Sequence, residues 1–133
     1  MNHVVYDTNI ASLALRSRMP AGLGGRLLGA VEVLAFVTVG ELEKWADVRS
    51  WGIRQRGTLN AWVGRRPVID SSDEVSRIWG RLAGEVHRRG TGISENDIWI
   101  AACCLSEGLP LVTRNVKDFV DFAEHHGLVL ITD

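Results

Sequence analysis

The sequence predicts an α/β domain in which helices cover both faces of a central, mostly parallel sheet, a three-layer α/β/α arrangement. Short β-favouring runs alternate with helical patterns along the chain, as in parallel α/β folds. The run at residues 33–37 is apolar throughout, as expected of a strand buried on both faces. The 133 residues are 46% hydrophobic and can bury a substantial core. We therefore expect a single domain spanning residues 1–133.

The first half of the chain is expected to contain three strands and four helices. A β-favouring strand at residues 4–6 ends at Asp7, and Thr8 or Asn9 is expected to cap the helix that follows. Pro20 fits the start of the second helix. The expected helices cover residues 10–15, 23–28, 39–49 and 53–65, and the expected strands cover residues 4–6, 33–37 and 67–70.

The second half is expected to contain three helices and two strands. Ser72 or Asp73 is expected to cap a helix whose apolar residues recur with a period near 3.6. Residues 97–107 are apolar on most sides and predict a buried helix that ends at Gly108. The remaining elements are a strand at 109–113, a helix at 115–126 and a strand at 128–131.

The composition indicates what kind of protein this is and where in the cell it is expected. The 15 basic and 16 acidic side chains give a net charge of −1, which argues against a general nucleic-acid coat protein. Cys103 and Cys104 are adjacent and unsuited to pairing with each other, so we expect a reducing, cytoplasmic location. The apolar stretch at residues 27–40 is short and contains Glu32, so we expect no membrane span.

Four carboxylates are placed where the ends of parallel strands meet. Each one follows a predicted strand or begins the predicted buried helix, and ligands of open α/β sheets bind at this edge. A single acid at such a position is commonly just a helix cap, but four together repel unless a cation lies among them. Oxygen ligands without histidine or cysteine favour Mg²⁺ or Mn²⁺ over zinc. The four are Asp7, Glu41, Asp97 and Asp118.

The four acids lie in four short segments: Asp7-Thr8-Asn9, Val39-Gly40-Glu41-Leu42, Asn96-Asp97-Ile98-Trp99-Ile100-Ala101-Ala102 and Thr113-Arg114-Asn115-Val116-Lys117-Asp118-Phe119. In this order the segments resemble the motifs of PIN-domain ribonucleases, and in particular of the VapC-type toxins of bacterial toxin–antitoxin pairs. The resemblance runs along essentially the whole chain. It implies a PIN-like fold and a nuclease that depends on a divalent metal ion.

The resemblance also implies roles for the acids. Asp7, Glu41 and Asp97 would bind the metal, and Asp118 would be a fourth acid nearer the rim. Many PIN domains have an acid two residues after the closing threonine, where this chain has Asn115. Whether Asp118 or Asn115 takes the fourth position, and whether one or two metal ions bind, stays open.

Five polar residues beside the acids are implied to position or bind the substrate. Thr8 and Asn9 are expected to orient Asp7 or, equally well, to cap the first helix. Thr113 is expected to position Asp7, to contact a phosphate oxygen, or to be an ordinary strand-end residue. Guanidinium groups match phosphate geometry, so Arg114 is a candidate phosphate contact. The five are Thr8, Asn9, Thr113, Arg114 and Asn115.

The implied reaction is hydrolysis of RNA phosphodiester bonds by a metal-activated water, with Mg²⁺ as cofactor and Mn²⁺ as a possible substitute. The implied partners are the RNA substrate and a cognate small antitoxin, which we expect to mask the acidic cleft with a basic side chain. We also expect a homodimer, because PIN toxins typically pair and the tryptophan-containing helices offer surplus apolar surface. Trp79 and Trp99 are expected to be core or dimer contacts.

A basic stretch at residues 44–66 lies between the motifs. It has six basic side chains against one acid, Asp47, with three tryptophans interleaved. Arginines of this kind commonly only solvate a helix, but here we expect them to contact RNA. Trp45 and Trp62 fit apolar helix stripes and are expected in the core, while Trp51 is left open. The basic residues are Lys44, Arg49, Arg54, Arg56, Arg65 and Arg66.

Two other functions remain to be weighed. A receiver-type phosphoacceptor module also has acids at strand ends, but it needs two adjacent acids after its first strand, which this chain lacks. A catalytically silent PIN fold that serves only as an RNA-binding or protein-interaction module is the second alternative. The presence of all four acids argues against it without excluding it.

Overall fold

A computed structural model describes residues 2–133 of the chain. It has a five-stranded, all-parallel sheet with the strand order β3-β2-β1-β4-β5 and, within these residues, seven α-helices. The predicted α/β class is therefore confirmed. In chain order the elements are β1 (His3–Tyr6), α1 (Thr8–Leu15), α2 (Ala21–Arg26), β2 (Val31–Ala35), α3 (Phe36–Val48), α4 (Ile53–Gly64), β3 (Val68–Ile69), α5 (Asp73–Arg89), α6 (Glu95–Glu107), β4 (Leu111–Val112), α7 (Val120–His126) and β5 (Leu130–Ile131).

One row of paired residues crosses the whole sheet and sets the edge at which the acids lie. Tyr6 of β1 is opposite Leu34 of β2 and Val112 of β4, and the row continues to Val68 and Ile131 in the outer strands. Because all the strands are parallel, the residues that follow this row emerge at the same edge.

The sheet separates two hydrophobic clusters, since successive side chains of a strand point to opposite faces. Val5 belongs to the cluster that contains buried residues of α5 and α6, such as Leu82 and Ile100. Val4 and Tyr6 belong to the cluster that contains buried residues of α1, α3 and α4. Helices therefore cover both faces, as the three-layer prediction requires.

The boundary between the second strand and its helix differs from the prediction. The run 33–37 was expected to be a strand, but β2 ends at Ala35 and Phe36 begins α3. An uninterrupted apolar run predicts burial without distinguishing a strand from a buried helix start. Phe36 belongs to the helix, where its ring contacts Trp99 edge-on at 5.5 Å. Glu41 consequently lies in the second turn of α3.

Two helix starts also differ from the prediction. Asp7, and neither Thr8 nor Asn9, caps α1, because its side chain accepts a hydrogen bond from the Ile10 amide. The predicted helix 115–126 is divided into a 3₁₀ turn, Val116–Asp118, and the shorter α7. Asp118 therefore lies in a tight turn rather than on a regular helix.

The buried helix ends as its sequence predicts. Gly108 follows α6 with a φ of +66°, a left-handed conformation that glycine adopts without the steric cost of a Cβ. Ser94 caps the start of the same helix with its hydroxyl group. Among the helices of residues 2–133, none is long and apolar enough to cross a bilayer.

Candidate active site

Asp7 is held from two directions at the centre of the acidic edge. Its Oδ1 accepts from the Ile10 amide at 2.8 Å, and its Oδ2 accepts from the Thr113 hydroxyl at 2.6 Å. The side chain is buried, and burial raises its pKa while the bonds from Thr113 and Ile10 partly offset the increase. Nearby Glu41 raises the pKa further. Asp7 is thus a fixed carboxylate in a site that disfavours its charge.

Thr113 is oriented by the backbone of the loop after β4. Its hydroxyl oxygen accepts a hydrogen bond from the Asn115 amide at 2.9 Å, which leaves its proton for Asp7. Thr113 is completely buried, so this proton has no solvent competitor. Of the alternatives open for Thr113, the geometry favours positioning Asp7.

Glu41 is positioned by a threonine pair. The Thr8 hydroxyl donates to Oε1 of Glu41 at 2.7 Å, and the Thr8 and Thr38 hydroxyl oxygens are 3.0 Å apart. Because a hydroxyl has one proton, Thr38 is the donor in the second contact. The expectation that Thr8 orients Asp7 is therefore wrong. The backbone amide of Asn9 does donate a hydrogen bond to the Asp7 carboxylate, although the residue as a whole is exposed.

Asp97 lies in the first turn of α6, two residues after the first helical position. Its amide donates to the capping Ser94 hydroxyl at 3.2 Å, and its carboxylate is itself hydrogen-bonded to Ser94. Ser94, not Asp97, is therefore the cap.

The pKa of Asp97 also depends on the other three acids. Its pKa is raised from 3.8 to about 6, mainly by burial and in addition by the charges of Asp118, Asp7 and Glu41, while the bond to Ser94 opposes the change. The four carboxylates therefore lie within electrostatic reach of one another, although they come from four separate segments. The backbone thus brings the four acids towards the same edge of the sheet, as predicted.

Asn115 and Asp118 form one unit. The Asn115 side-chain amide donates to Oδ2 of Asp118, and the Asp118 amide donates to the Asn115 carbonyl at 3.2 Å. Since the Asn115 amide also bonds Thr113, this unit is linked to Asp7 through one hydroxyl. Asp118 is half-buried, and its charge raises the pKa of Asp97.

The residues present fit a divalent cation in their chemistry. The four predicted ligands are all carboxylates, a donor set that suits Mg²⁺ or Mn²⁺. Two of the carboxylates have raised pKa values, a cost that a cation among them would relieve. The four are not drawn tightly together. Within residues 2–133, three other side chains do have possible ligand atoms within 4.8 Å of one another. They lie on α7 and are Asp121, Glu124 and His125.

The position of Arg114 is compatible with the predicted phosphate contact. It directly follows Thr113 and is exposed, so its guanidinium is accessible beside the acidic edge. In the structure it pairs with Asp133, with 3.3 Å between Nε and the carboxylate. An exposed pair of this kind stabilises the fold little and is readily exchanged for another anion.

Two arginines of the basic stretch are structural, contrary to the expectation that they contact RNA. Arg66 donates to Oε1 of Glu32 at 2.7 Å and lies 3.8 Å from the centre of the Trp62 ring. Arg56 is engaged by Glu43 and by backbone carbonyls. The other basic residues of the stretch are exposed: Lys44, Arg49, Arg54 and Arg65.

Sequence reasoning missed the partner of Arg66. Glu32 also accepts from the Tyr6 hydroxyl at 2.6 Å, and burial together with this bond raises the pKa of Tyr6. The signal was present, because an acid inside an otherwise apolar run needs a buried partner. Trp62 is in the core, as predicted. Trp45 was also expected in the core, but it stays partly exposed while packing against the buried cluster, as does Trp51.

A parallel α/β/α fold with acids at the carboxyl edge of its sheet is the arrangement of PIN-like ribonucleases. Ribonuclease VapC5 of Mycobacterium tuberculosis is 31% identical to this chain over 114 residues, which are 84% of this chain and 82% of that protein. The chain therefore belongs to the VapC family, the ribonuclease toxins of type II toxin–antitoxin systems. The family assignment made from the sequence motifs is confirmed. No protein-family model matches the chain.

Solved structures show the same fold. VapBC-1 from nontypeable Haemophilus influenzae superposes with a TM-score of 0.83 at 25% identity, covering 99% of this chain and 98% of that one. VapBC-5 of M. tuberculosis, a member of the VapBC family of toxin–antitoxin systems, superposes with a TM-score of 0.69 at 22% identity over the whole of both chains. The fold is thus that of VapC proteins along its full described length.

Proposed function

We propose that the chain is a magnesium-dependent endoribonuclease whose site is the acidic edge of the sheet. Asp7, Glu41 and Asp97 hold the cation, Mn²⁺ can replace Mg²⁺, and Asp118 is the fourth acid at the rim. One observation carries the proposal: four carboxylates from four separate segments come within electrostatic reach of one another at one edge of the sheet, so that each of the other three raises the pKa of Asp97. A fold gains no stability from such a cluster unless a cation binds there.

The surrounding residues prepare this site before any ligand arrives. Thr113 and the Ile10 amide fix both oxygens of Asp7, and Thr8 fixes one oxygen of Glu41. Fixed ligands lose less conformational freedom when a cation or substrate binds. When bound, the cation supplies the positive charge that offsets the acids and stabilises negative charge developing on phosphate oxygens. Arg114 is exposed beside them and matches a phosphate group of the RNA.

The proposal is tested by cleavage of a labelled RNA with Mg²⁺, with Mn²⁺ and with EDTA. We expect cleavage with either cation and none with EDTA. Asp7→Asn should abolish cleavage, because it removes a charge from the site while keeping a similar shape. Asp121→Asn is the matched control, since Asp121 belongs to α7 and pairs with Arg89. Equal loss in both variants, or cleavage in EDTA, would contradict the proposal.

A cognate antitoxin is the second part of the proposal. It masks the acidic cleft with a basic side chain placed among the carboxylates, where it replaces the charge of the cation. The related VapBC-5 structure belongs to a toxin–antitoxin system, which supports such a partner. Expression of this chain alone should slow bacterial growth, and the Asp7→Asn variant should not. Unimpaired growth with good soluble expression of the unaltered chain would contradict toxicity.

A homodimer is the third part. Trp79 and Trp99 stack with ring centres 4.8 Å apart, and Phe36 meets Trp99 edge-on. All three rings remain partly exposed, so the starts of α3 and α6 and the middle of α5 present one aromatic surface. A second copy would remove that surface from water. Light scattering should give twice the 14.7 kDa of one chain, and a monomer at micromolar concentration would contradict this.

A further inference from the structure

A cavity of about 670 Å³ lies along the exposed side of α5. Six of its lining residues belong to α5, and the seventh, His126, is the last residue of α7. Among residues 2–133, neither the four acids nor the residues that hydrogen-bond to them line this cavity. The candidate active site therefore does not account for it.

The lining of this cavity is strongly basic. Arg77, Arg81 and Arg88 line it and are all exposed. Arg77 has an exposed partner, Asp73, on the same helix at 2.8 Å, and exposed pairs of this kind are weak. Within residues 2–133, Arg81 and Arg88 form no ion pair. The described chain thus leaves most of this positive charge without a counter-charge.

The one acid of the lining is already engaged. Glu85 pairs with Nε2 of His126 at 2.7 Å. This hydrogen bond lowers the pKa of Glu85, burial partly offsets the effect, and the charges of His126, Arg89 and Arg88 lower the pKa further. Glu85 is therefore charged and joins α5 to α7, and the arginines of the lining stay available to a ligand.

Two glycines leave the helix backbone open between the arginines. A Cβ at Gly80 would meet no atom within 4 Å, whereas one at Gly84 would lie 3.3 Å from Nη1 of Arg88. Alanine would therefore fit at Gly80, and it stabilises a helix interior better than glycine does. The packing of the described chain does not require glycine at this position. The open space above it can admit a ligand from outside.

The spacing of the arginines suits a long, narrow ligand. Arg77 and Arg81 are about one helical turn apart, and Arg88 follows about two turns later. From Arg77 to Arg88 the helix rises by about 16 Å, at roughly 1.5 Å per residue. A single phosphate ion is too small to bridge this length. A linear chain of phosphate groups can contact each arginine in turn.

The donors and acceptors of the lining also select among anions. Arginine side chains only donate, and the helix carbonyls at Gly80 and Gly84 already accept within α5. A peptide or an RNA brings amide, amino or hydroxyl donors of its own, which would find no free acceptor in such a cavity. An inorganic oligophosphate presents acceptor oxygens alone, and these match guanidinium geometry.

We propose that this cavity, the α5 groove (Arg77, Gly80, Arg81, Gly84 and Arg88), binds a linear inorganic oligophosphate with at least one phosphate group for each arginine. A second copy of the chain does not fit here, because it would bring arginines against arginines. The site is separate from the acidic edge, so the inference goes beyond the proposed function and does not depend on it.

The test is a binding measurement that does not depend on cleavage. Sodium tripolyphosphate and inorganic phosphate are titrated into the metal-free chain by isothermal calorimetry, and thermal unfolding verifies the fold of each variant. The Arg81→Ala/Arg88→Ala double variant probes the α5 groove. The Arg54→Ala/Arg65→Ala double variant is the matched control, since it removes the same charge from exposed positions at α4, which packs on the other face of the sheet.

We expect tripolyphosphate to bind at least about tenfold more tightly than inorganic phosphate, and the groove variant to lose about tenfold in tripolyphosphate affinity. The control should change by less than about twofold. Gly80→Leu keeps every charge and favours the helix but fills the groove, so it should also weaken tripolyphosphate binding. Unchanged tripolyphosphate affinity in the groove variant or in Gly80→Leu, an equal loss in the control, or equal affinity for inorganic phosphate would overturn the proposal.

Two further titrations separate an oligophosphate from macromolecules that carry similar charge. Oligouridine represents an RNA backbone, and hexaglutamate represents an acidic peptide. The affinity of the chain for either should change by less than about twofold in the groove variant, because neither is expected to occupy the α5 groove. A loss for oligouridine or hexaglutamate as large as that for tripolyphosphate would overturn the proposal and assign the groove to RNA or to an acidic protein.

Discussion

The hydroxyl of Thr113 donates a 2.6 Å hydrogen bond to Oδ2 of Asp7 across 106 residues of sequence. The pairing of β1 with β4 creates this contact, since Tyr6 and Val112 are opposite each other. Asp7 and Thr113 directly follow these two residues in the sequence. Asp7 is at the same time the cap of α1. One side chain thus joins the sheet, a helix and the candidate active site.

The first prediction concerns this bond. Thr113→Val keeps the shape of the side chain but removes the proton given to Asp7 and the oxygen that accepts from Asn115. We expect RNA cleavage to fall roughly 10- to 100-fold, as for other residues that orient metal ligands. The fold should lose only about 1 kcal/mol of stability. Thr113→Ser retains the hydroxyl and should keep most of the activity. If the valine and serine variants cleave equally, the hydroxyl does not position Asp7.

The second prediction separates structural arginines from exposed ones. Arg66→Ala removes both the partner of Glu32 and the cation stacked on Trp62. Breaking such a partly buried pair should lower the free energy of unfolding by about 2–4 kcal/mol. Arg65→Ala is the matched control at the neighbouring exposed position and should change stability by less than about 0.5 kcal/mol. Urea denaturation gives both values. Equal effects would mean that the Glu32 pair contributes nothing specific.

The third prediction is a pH dependence of stability in the absence of divalent cations. Because the pKa of Asp97 rises from 3.8 to about 6 on folding, its charged form is destabilising in the folded state. This loss of folding stability is absent below pH 3.8, grows between pH 3.8 and about pH 6, and is complete above about pH 6. Asp97→Asn should therefore be more stable than the unaltered chain at pH 7.5 in EDTA, by roughly 2 kcal/mol after solvent screening.

The advantage of the Asp97→Asn variant should fade when the pH is lowered to 4.5. Adding Mg²⁺ at pH 7.5 should also reverse it, because the cation stabilises only the charged site. Thermal unfolding at the two pH values, with EDTA or with Mg²⁺, checks both expectations. A variant less stable than the unaltered chain in EDTA at pH 7.5 would show that the Asp97 carboxylate is needed for folding rather than for the site.

The sequence was sufficient to predict the parallel sheet, the buried helix and the edge that the four acids approach, because strand ends and helix starts are marked by local residue patterns. That these acids bind a metal stays a prediction. It could not resolve whether Phe36 ends a strand or begins a helix, since both environments are equally apolar. It also could not reveal which partner each polar group would take. Thr8 bonds Glu41 and Arg66 bonds Glu32 through long-range contacts that no local pattern encodes. A single domain and a cytoplasmic location stay predictions.

The most direct test of the central claim is RNA cleavage by Asp97→Asn in saturating Mg²⁺, beside the unaltered chain and Asp118→Asn. Asparagine keeps the shape and can still accept from Ser94, so the variant should fold, which thermal unfolding verifies. If Asp97 binds the metal, its variant should lose at least about a hundredfold in activity, while Asp118→Asn at the rim loses less. Full cleavage by a folded Asp97→Asn variant would contradict the metal site. No cleavage even by the unaltered chain would instead favour a catalytically silent PIN fold.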